Sequence, residues 1–149
     1  MLMMHAEGVN IADRISATEL LFLGNAQLNG KVEYPMLKVS NKDQFDELIQ
    51  KPGLTVAVFK ADWCGDCKFI DPFMPEVEEK YANQLTLIEV DVEHTEGISE
   101  AHNVLGIPSF IAFSNGQELV RLVNKLRKSR EEIEQFLDRA SEVHGAMTL

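Results

Sequence analysis

Long apolar runs are missing from this chain of 149 residues: nothing in it reaches the run of about eighteen apolar residues that a membrane-spanning helix needs. The longest such run near the N-terminus, Leu20-Leu21-Phe22-Leu23, is too short for the core of an export signal. Glu7, Asp13 and Glu19 also stand where that signal would be poor in acid. A cytoplasmic protein is expected. Positive charge is scarce too, with 14 Lys and Arg against 24 Asp and Glu for a net charge of −10, so neither nucleic acid nor an anionic membrane is an expected partner. Cysteine is scarcer still. The two residues present, Cys64 and Cys67, are spaced C-x-x-C, and in a reducing compartment such a pair is more often catalytic or metal-binding than a structural staple.

What is present suits one globular domain with an appendage, since 45% of residues are hydrophobic and 26% charged. Residues 1–35 have weak periodicity and turn signals at Gly24-Asn25 and Asn29-Gly30. They read as a flexible or loosely docked extension, or as a stretch upstream of a start at Met36. Residues 36–149 read as the domain proper.

From residue 40 the pattern sharpens. Ser40, with Asp43 three positions on, is expected to cap a helix whose Phe45, Leu48 and Ile49 share a face and which Pro52-Gly53 ends. Leu54 to Phe59 is a β-branched apolar run that predicts a buried parallel strand. Phe69, Phe73, Val77 and Tyr81 recur every four residues, which predicts a helix that Pro72 and Pro75 kink without ending. Leu85 to Val92 supplies the second strand of a βαβ unit, and a short helical piece follows near Ile98 to Asn103. Ser109 to Phe113 and Glu118 to Val123, joined through Asn115-Gly116, spell a hairpin. Ser129 with Glu132 forms a capping box for a last helix buried through Ile133, Phe136, Leu137 and Ala140. The class is α/β, with a mixed central sheet built from the βαβ unit and the hairpin, closed by a C-terminal helix.

The cysteine pair falls at the junction between the first strand and its helix. Cys64 then lies near a helix N-terminus, where unpaired N–H groups and the macrodipole favour a thiolate, so Cys64 is the expected nucleophile. Cys67, one turn on, is the expected resolving thiol, and Gly65 keeps a side chain out of the approach. The competing reading is half of a zinc site. Structural zinc needs two more ligands, and neither a second C-x-x-C nor an H-x₃₋₅-H is present; His5, His94, His102 and His144 are scattered. Dithiol exchange is favoured, with no metal and no cofactor.

At this point residues 38 to about 142 resemble the thioredoxin family. The resemblance rests on Ala61-Asp62-Trp63-Cys64-Gly65-Asp66-Cys67-Lys68, Pro72, Ile107-Pro108-Ser109 and Asn115-Gly116, in that order of elements. It implies a thioredoxin-like fold with helices on both faces of the sheet, and a thiol-disulfide oxidoreductase that reduces protein disulfides and is recharged by a thioredoxin reductase-type donor. It also implies that Trp63 is a docking surface and Pro108 a cis-proline facing the cysteines, with the Ile107 backbone presented to an extended substrate segment. Alternatives are a dedicated electron donor to a single client such as a peroxidase, and a non-catalytic binding module. Intact Cys64, Cys67 and Pro108 argue against the module.

Three positions depart from the family pattern. Asp66 replaces the proline between the cysteines, and a carboxylate beside two sulfurs opposes thiolate formation. Val58 stands where the family carries a buried aspartate that handles the proton of the resolving cysteine, and Glu89 where it carries a partner lysine. Asp66 or Glu89 is therefore the expected proton carrier for Cys67, with Lys60 adding a cation nearby. Arg121, Lys125, Arg127, Lys128 and Arg130 form the one basic cluster, which reads as a solvated face in preference to a docking site for acidic partners.

Overall fold

The computed structural model describes residues 36–147, and the readings made for residues 1–35 lie outside them. In chain order the elements are β1 (Leu37–Lys38), α1 (Lys42–Ile49), β2 (Thr55–Lys60), α2 (Gly65–Ile70), α3 (Met74–Lys80), β3 (Thr86–Asp91), α4 (Ile98–Ala101), β4 (Ser109–Ser114), β5 (Gln117–Leu122) and α5 (Arg130–Met147). The sheet runs β1-β3-β2-β4-β5. The pairs β1–β3 and β3–β2 are parallel, while β2–β4 and β4–β5 are antiparallel.

β2 is central and buried on both faces, which explains its unbroken apolar sequence. Successive side chains leave a strand on opposite sides. Val56 and Val58 therefore enter one core with Leu87, Phe110 and Ala112, covered by α2, α3 and α5 through Ile70, Met74, Val77, Ile133 and Leu137. Ala57 and Phe59 enter the other with Ile88, Val90, Ile111 and Phe113, covered by α1 and α4 through Phe45, Ile49 and Ile98. Each fully buried Phe or Ile in these layers contributes about 1.5–3 kcal/mol through area removed from water. Tyr81 ties α3 to α5, its hydroxyl donating to Asp138 Oδ1 at 2.7 Å and to the Glu134 carbonyl at 3.2 Å.

Two local expectations are corrected. The cap of α1 is Asn41 rather than Ser40: Asn41 Oδ1 accepts the Gln44 N–H at 2.8 Å, while the Ser40 N–H donates to Gln44 Oε1. The helix expected over residues 69–81 is two helices. Residues 71–73 form a turn between α2 and α3, because Pro72 offers no N–H to continue the ladder and Pro75 sits in the first turn of α3, where its missing donor costs nothing. The break also rotates the stripe: Ile70, Met74, Val77 and Tyr81 are buried, and Phe69 is exposed. The hairpin forms as expected through Asn115 and Gly116, whose φ values of 54° and 79° are the left-handed conformation that a two-residue turn of this kind requires. Ser129 Oγ accepts the Glu132 N–H at 3.1 Å at the start of α5. No helix among the described residues is long and apolar enough to cross a membrane.

Candidate active site

The dithiol sits where β2 hands the chain to α2. Cys64 N–H donates to the Ala61 carbonyl at 3.2 Å and Lys68 N–H to the Cys64 carbonyl at 3.1 Å, closing the corner. Cys64 is the N-cap of α2, and its Sγ accepts the Cys67 N–H at 3.1 Å. Sulfur thus takes the place that a Ser or Asp oxygen fills at most helix starts, and a thiolate accepts such a bond better than a thiol. A Cβ at Gly65 would meet nothing within 4 Å, so no close packing there demands a glycine.

Both cysteines are free thiols, and they are unequal. Burial pushes the Cys67 thiol up to about 12, its hydrogen bond with Cys64 and the Cys64 charge act the same way, and the Ala61 backbone and Lys60 act against them. Cys67 therefore holds its proton at neutral pH until another group takes it. Opposite the pair, the Ile107–Pro108 peptide is cis, and the Cys64 thiol donates to the Ile107 carbonyl at 3.8 Å. Ala61, Cys64 and Cys67 form one apolar cluster against which Val92 and Ile107 pack. Trp63, beside Cys64, is 63% exposed. The structure brings Cys64, Cys67 and Ile107 together, with Pro108 following Ile107 across the cis bond and Trp63 exposed next to Cys64.

The charged neighbours come from the sheet, from α2 and the turn after it, and from the loop before α5. Strand alternation puts Lys60 on the same side of β2 as the buried Val58, under α2. Its Nζ lies 2.6 Å from Asp71 Oδ1 and 3.7 Å from Glu89 Oε1. Burial disfavours the Lys60 ammonium, but the Asp71 hydrogen bond and the charges of Glu89, Asp71 and Cys67 more than offset this and raise its pKa. Glu89, beside Val58 in the sheet register, also lies 3.8 Å from Lys38 Nζ. Asp66 Oδ1 is 2.9 Å from Arg127 Nε. Both carboxylates expected to carry a proton are thus engaged by cations.

The basic cluster does not form one solvated face. Arg121 pairs with Glu118 at 2.6 Å, Arg130 with Glu76 and Glu134 at 2.7 Å each, and Arg127 with Asp66. Lys128 is fully buried. Arg127 and Lys128 are site neighbours that sequence reasoning missed. The available signal was a pairing of unlike charges: an acid in the C-x-x-C and bases clustered before the last helix. No group of three or more His, Cys, Asp or Glu that could hold a metal occurs among the described residues.

A family model described as Thioredoxin matches residues 36–139. The chain belongs to the thioredoxin family. It is 33% identical over 109 residues to "Thioredoxin Y, chloroplastic" of Oryza sativa subsp. japonica, a match spanning 68% of this chain and 65% of the rice protein. It is 37% identical over 84 residues to a thioredoxin of Callithrix jacchus, spanning 55% of this chain and 79% of that one. Among solved structures, the Malassezia sympodialis thioredoxin Mala s 13 superposes with a TM-score of 0.65 at 25% identity, covering 72% of this chain and 94% of that one. The Plasmodium falciparum thioredoxin gives 0.62 at 28% identity, covering 70% and 98%. The protein is a thioredoxin-type redox protein with the thioredoxin fold.

Proposed function

We propose that this thioredoxin family member reduces disulfides in client proteins by dithiol exchange. The observation that carries the reading is the different setting of the two sulfurs. Cys64 Sγ caps a helix and faces the Ile107 carbonyl, while burial and the bond to Cys64 raise the pKa of the Cys67 thiol. Cys64 thiolate attacks one sulfur of a client disulfide, forming a mixed disulfide and expelling the other client sulfur as a thiolate. Cys67 then loses its proton and attacks Cys64 Sγ. The Cys64–Cys67 bond forms, the mixed disulfide breaks, and the second client sulfur leaves, so the client gains two electrons and the dithiol loses two. Trp63, Ile107 and Pro108 seat the client segment, with Ile107 offering backbone groups to an extended chain. Lys60, which Glu89 and Asp71 hold beneath α2, stays an ammonium and lowers the cost of the Cys67 thiolate by its charge, while the Cys67 proton passes to water or to the departing client thiolate. A thioredoxin reductase-type donor returns the electrons.

The test is reduction of a protein disulfide with dithiothreitol as recycling reductant. The native chain is expected to accelerate it well beyond dithiothreitol alone, Cys64→Ser to abolish the gain, and reduced Cys67→Ser, mixed with the client after the dithiothreitol is removed, to accumulate a mixed disulfide. Retention of the gain in Cys64→Ser overturns the proposal.

A further inference from the structure

The segment between β5 and α5 is held firmly by its own hydrogen bonds, and one of its basic residues, Arg127, meets the dithiol helix. The ammonium of Lys128 has three N–H groups and meets three acceptors: Leu126 O at 2.7 Å, Asn124 Oδ1 at 2.9 Å and Asn124 O at 3.2 Å. Asn124 Oδ1 also accepts the Leu126 N–H at 2.9 Å. On its other side the loop lies so close to the turn that leads into Ile107 that a Cβ at Gly106 would overlap the Asn124 carbonyl. The frame thus built projects Arg127 onto α2. Its Nε meets Asp66 Oδ1 at 2.9 Å, and its guanidinium lies 4.4 Å from the centre of the Phe69 ring. The broken helix, by turning Phe69 outward, supplies that ring.

The geometry points to Arg127 as a positioning residue of the dithiol: by pairing with Asp66 it cancels the negative charge that this chain carries between Cys64 and Cys67, and Lys128 holds it there. The inference rests on the reading of Cys64 as the attacking sulfur. Asp66 alone would repel a thiolate forming on its neighbour; paired with a guanidinium it contributes little net field. Lys60 from β2 and Lys128 itself also act on the sulfurs and stand in every variant below, whereas the charge of Cys67 is removed by the Cys67→Ser background. Lys128 feels Glu132, Asp66, Cys67 and Cys64, which places both sulfurs within range of the loop's charge.

The experiment is the pH profile of Cys64 alkylation by iodoacetamide in a Cys67→Ser background, which needs no disulfide reduction and so separates this inference from the proposed function. Arg127→Met is expected to move the profile's midpoint upward by about half a unit, a roughly threefold slower reaction on the acid side. Asp66→Asn should move it downward, Arg127→Lys should largely restore it, and Asp66→Asn combined with Arg127→Met should return the midpoint close to the native one, because the two opposite charges leave together. The Arg127 side chain is 59% exposed, so these variants are expected to fold. An unmoved midpoint in Arg127→Met, or a double variant whose midpoint stays as far from the native one as either single variant, overturns the inference.

Discussion

The two faces of the sheet are built from the same strands and do different work. Beneath α1 and α4, Phe45 packs against Phe59, Phe113 and His102 with ring centres 6.4, 5.8 and 5.3 Å apart, and burial lowers the His102 pKa first among its causes, keeping the ring neutral. Beneath α2 the apolar layer ends in a row of charge: Val58 gives way to Lys60, with Glu89 beside it and Asp71 above. One face is a packing device. The other gives up part of its packing to set charges under a thiol. The lesson is that strand periodicity, usually read as a core signal, here also delivers a lysine to the site.

If this division holds, Phe45→Ala should be the largest disturbance of stability, lowering it by about 3–5 kcal/mol in urea unfolding as a cavity opens among the rings. It should leave the rate at which Cys67 displaces a chromogenic thiolate from Cys64 almost unchanged. Lys60→Met should do the reverse. That displacement is expected to slow about tenfold at pH 7, a barrier increase of about 1.4 kcal/mol, while stability changes by about 1 kcal/mol or less. Equal slowing in the two variants would break the comparison.

The smallest effect is expected at the end of β3, where Asp91 and His94 lie outside both apolar layers. Burial works to raise the Asp91 carboxyl, but the His94 ring at 2.9 Å and the Glu93 and His94 N–H groups outweigh it and lower the pKa; the same bond raises His94. Asp91 contributes stability above its unfolded value, near 4, which is lost as pH falls through the lower folded value. His94 contributes below about 6.5 and loses that contribution as pH rises through its raised folded value. His94→Gln should therefore lower Tm at pH 5.5 and barely change it at pH 9. A larger loss at pH 9 would show that this turn is held by something other than the ion pair.

Much of this was legible in the residues. Strands β2 to β5 and helices α1 and α5 announced themselves through period and turn chemistry, and Cys64, Cys67 and Pro108 through a motif whose parts sit at fixed intervals. The exceptions share a cause. The stripe from Phe69 to Tyr81 has helical period, yet whether a proline kinks or ends a helix depends on what packs on either side of it. Asn41 took the cap from its neighbour Ser40 through a rotation of one residue, which a spacing rule cannot resolve. Asp66 and Arg127 are 61 positions apart, and no local pattern couples them. Lys128 looked like one more solvated base because its three acceptors are backbone and amide oxygens, which carry no charge to advertise them.

That enclosed lysine also offers a clock. An ammonium whose three donors are all satisfied and whose side chain is shielded from water reacts with an acylating reagent, or is cleaved by trypsin, only when its loop opens. The labelling rate of Lys128, set against that of an exposed lysine such as Lys125, would count the openings of the segment that carries Arg127. Taken in the reduced and the oxidised protein, it would report whether making the disulfide loosens or tightens that segment.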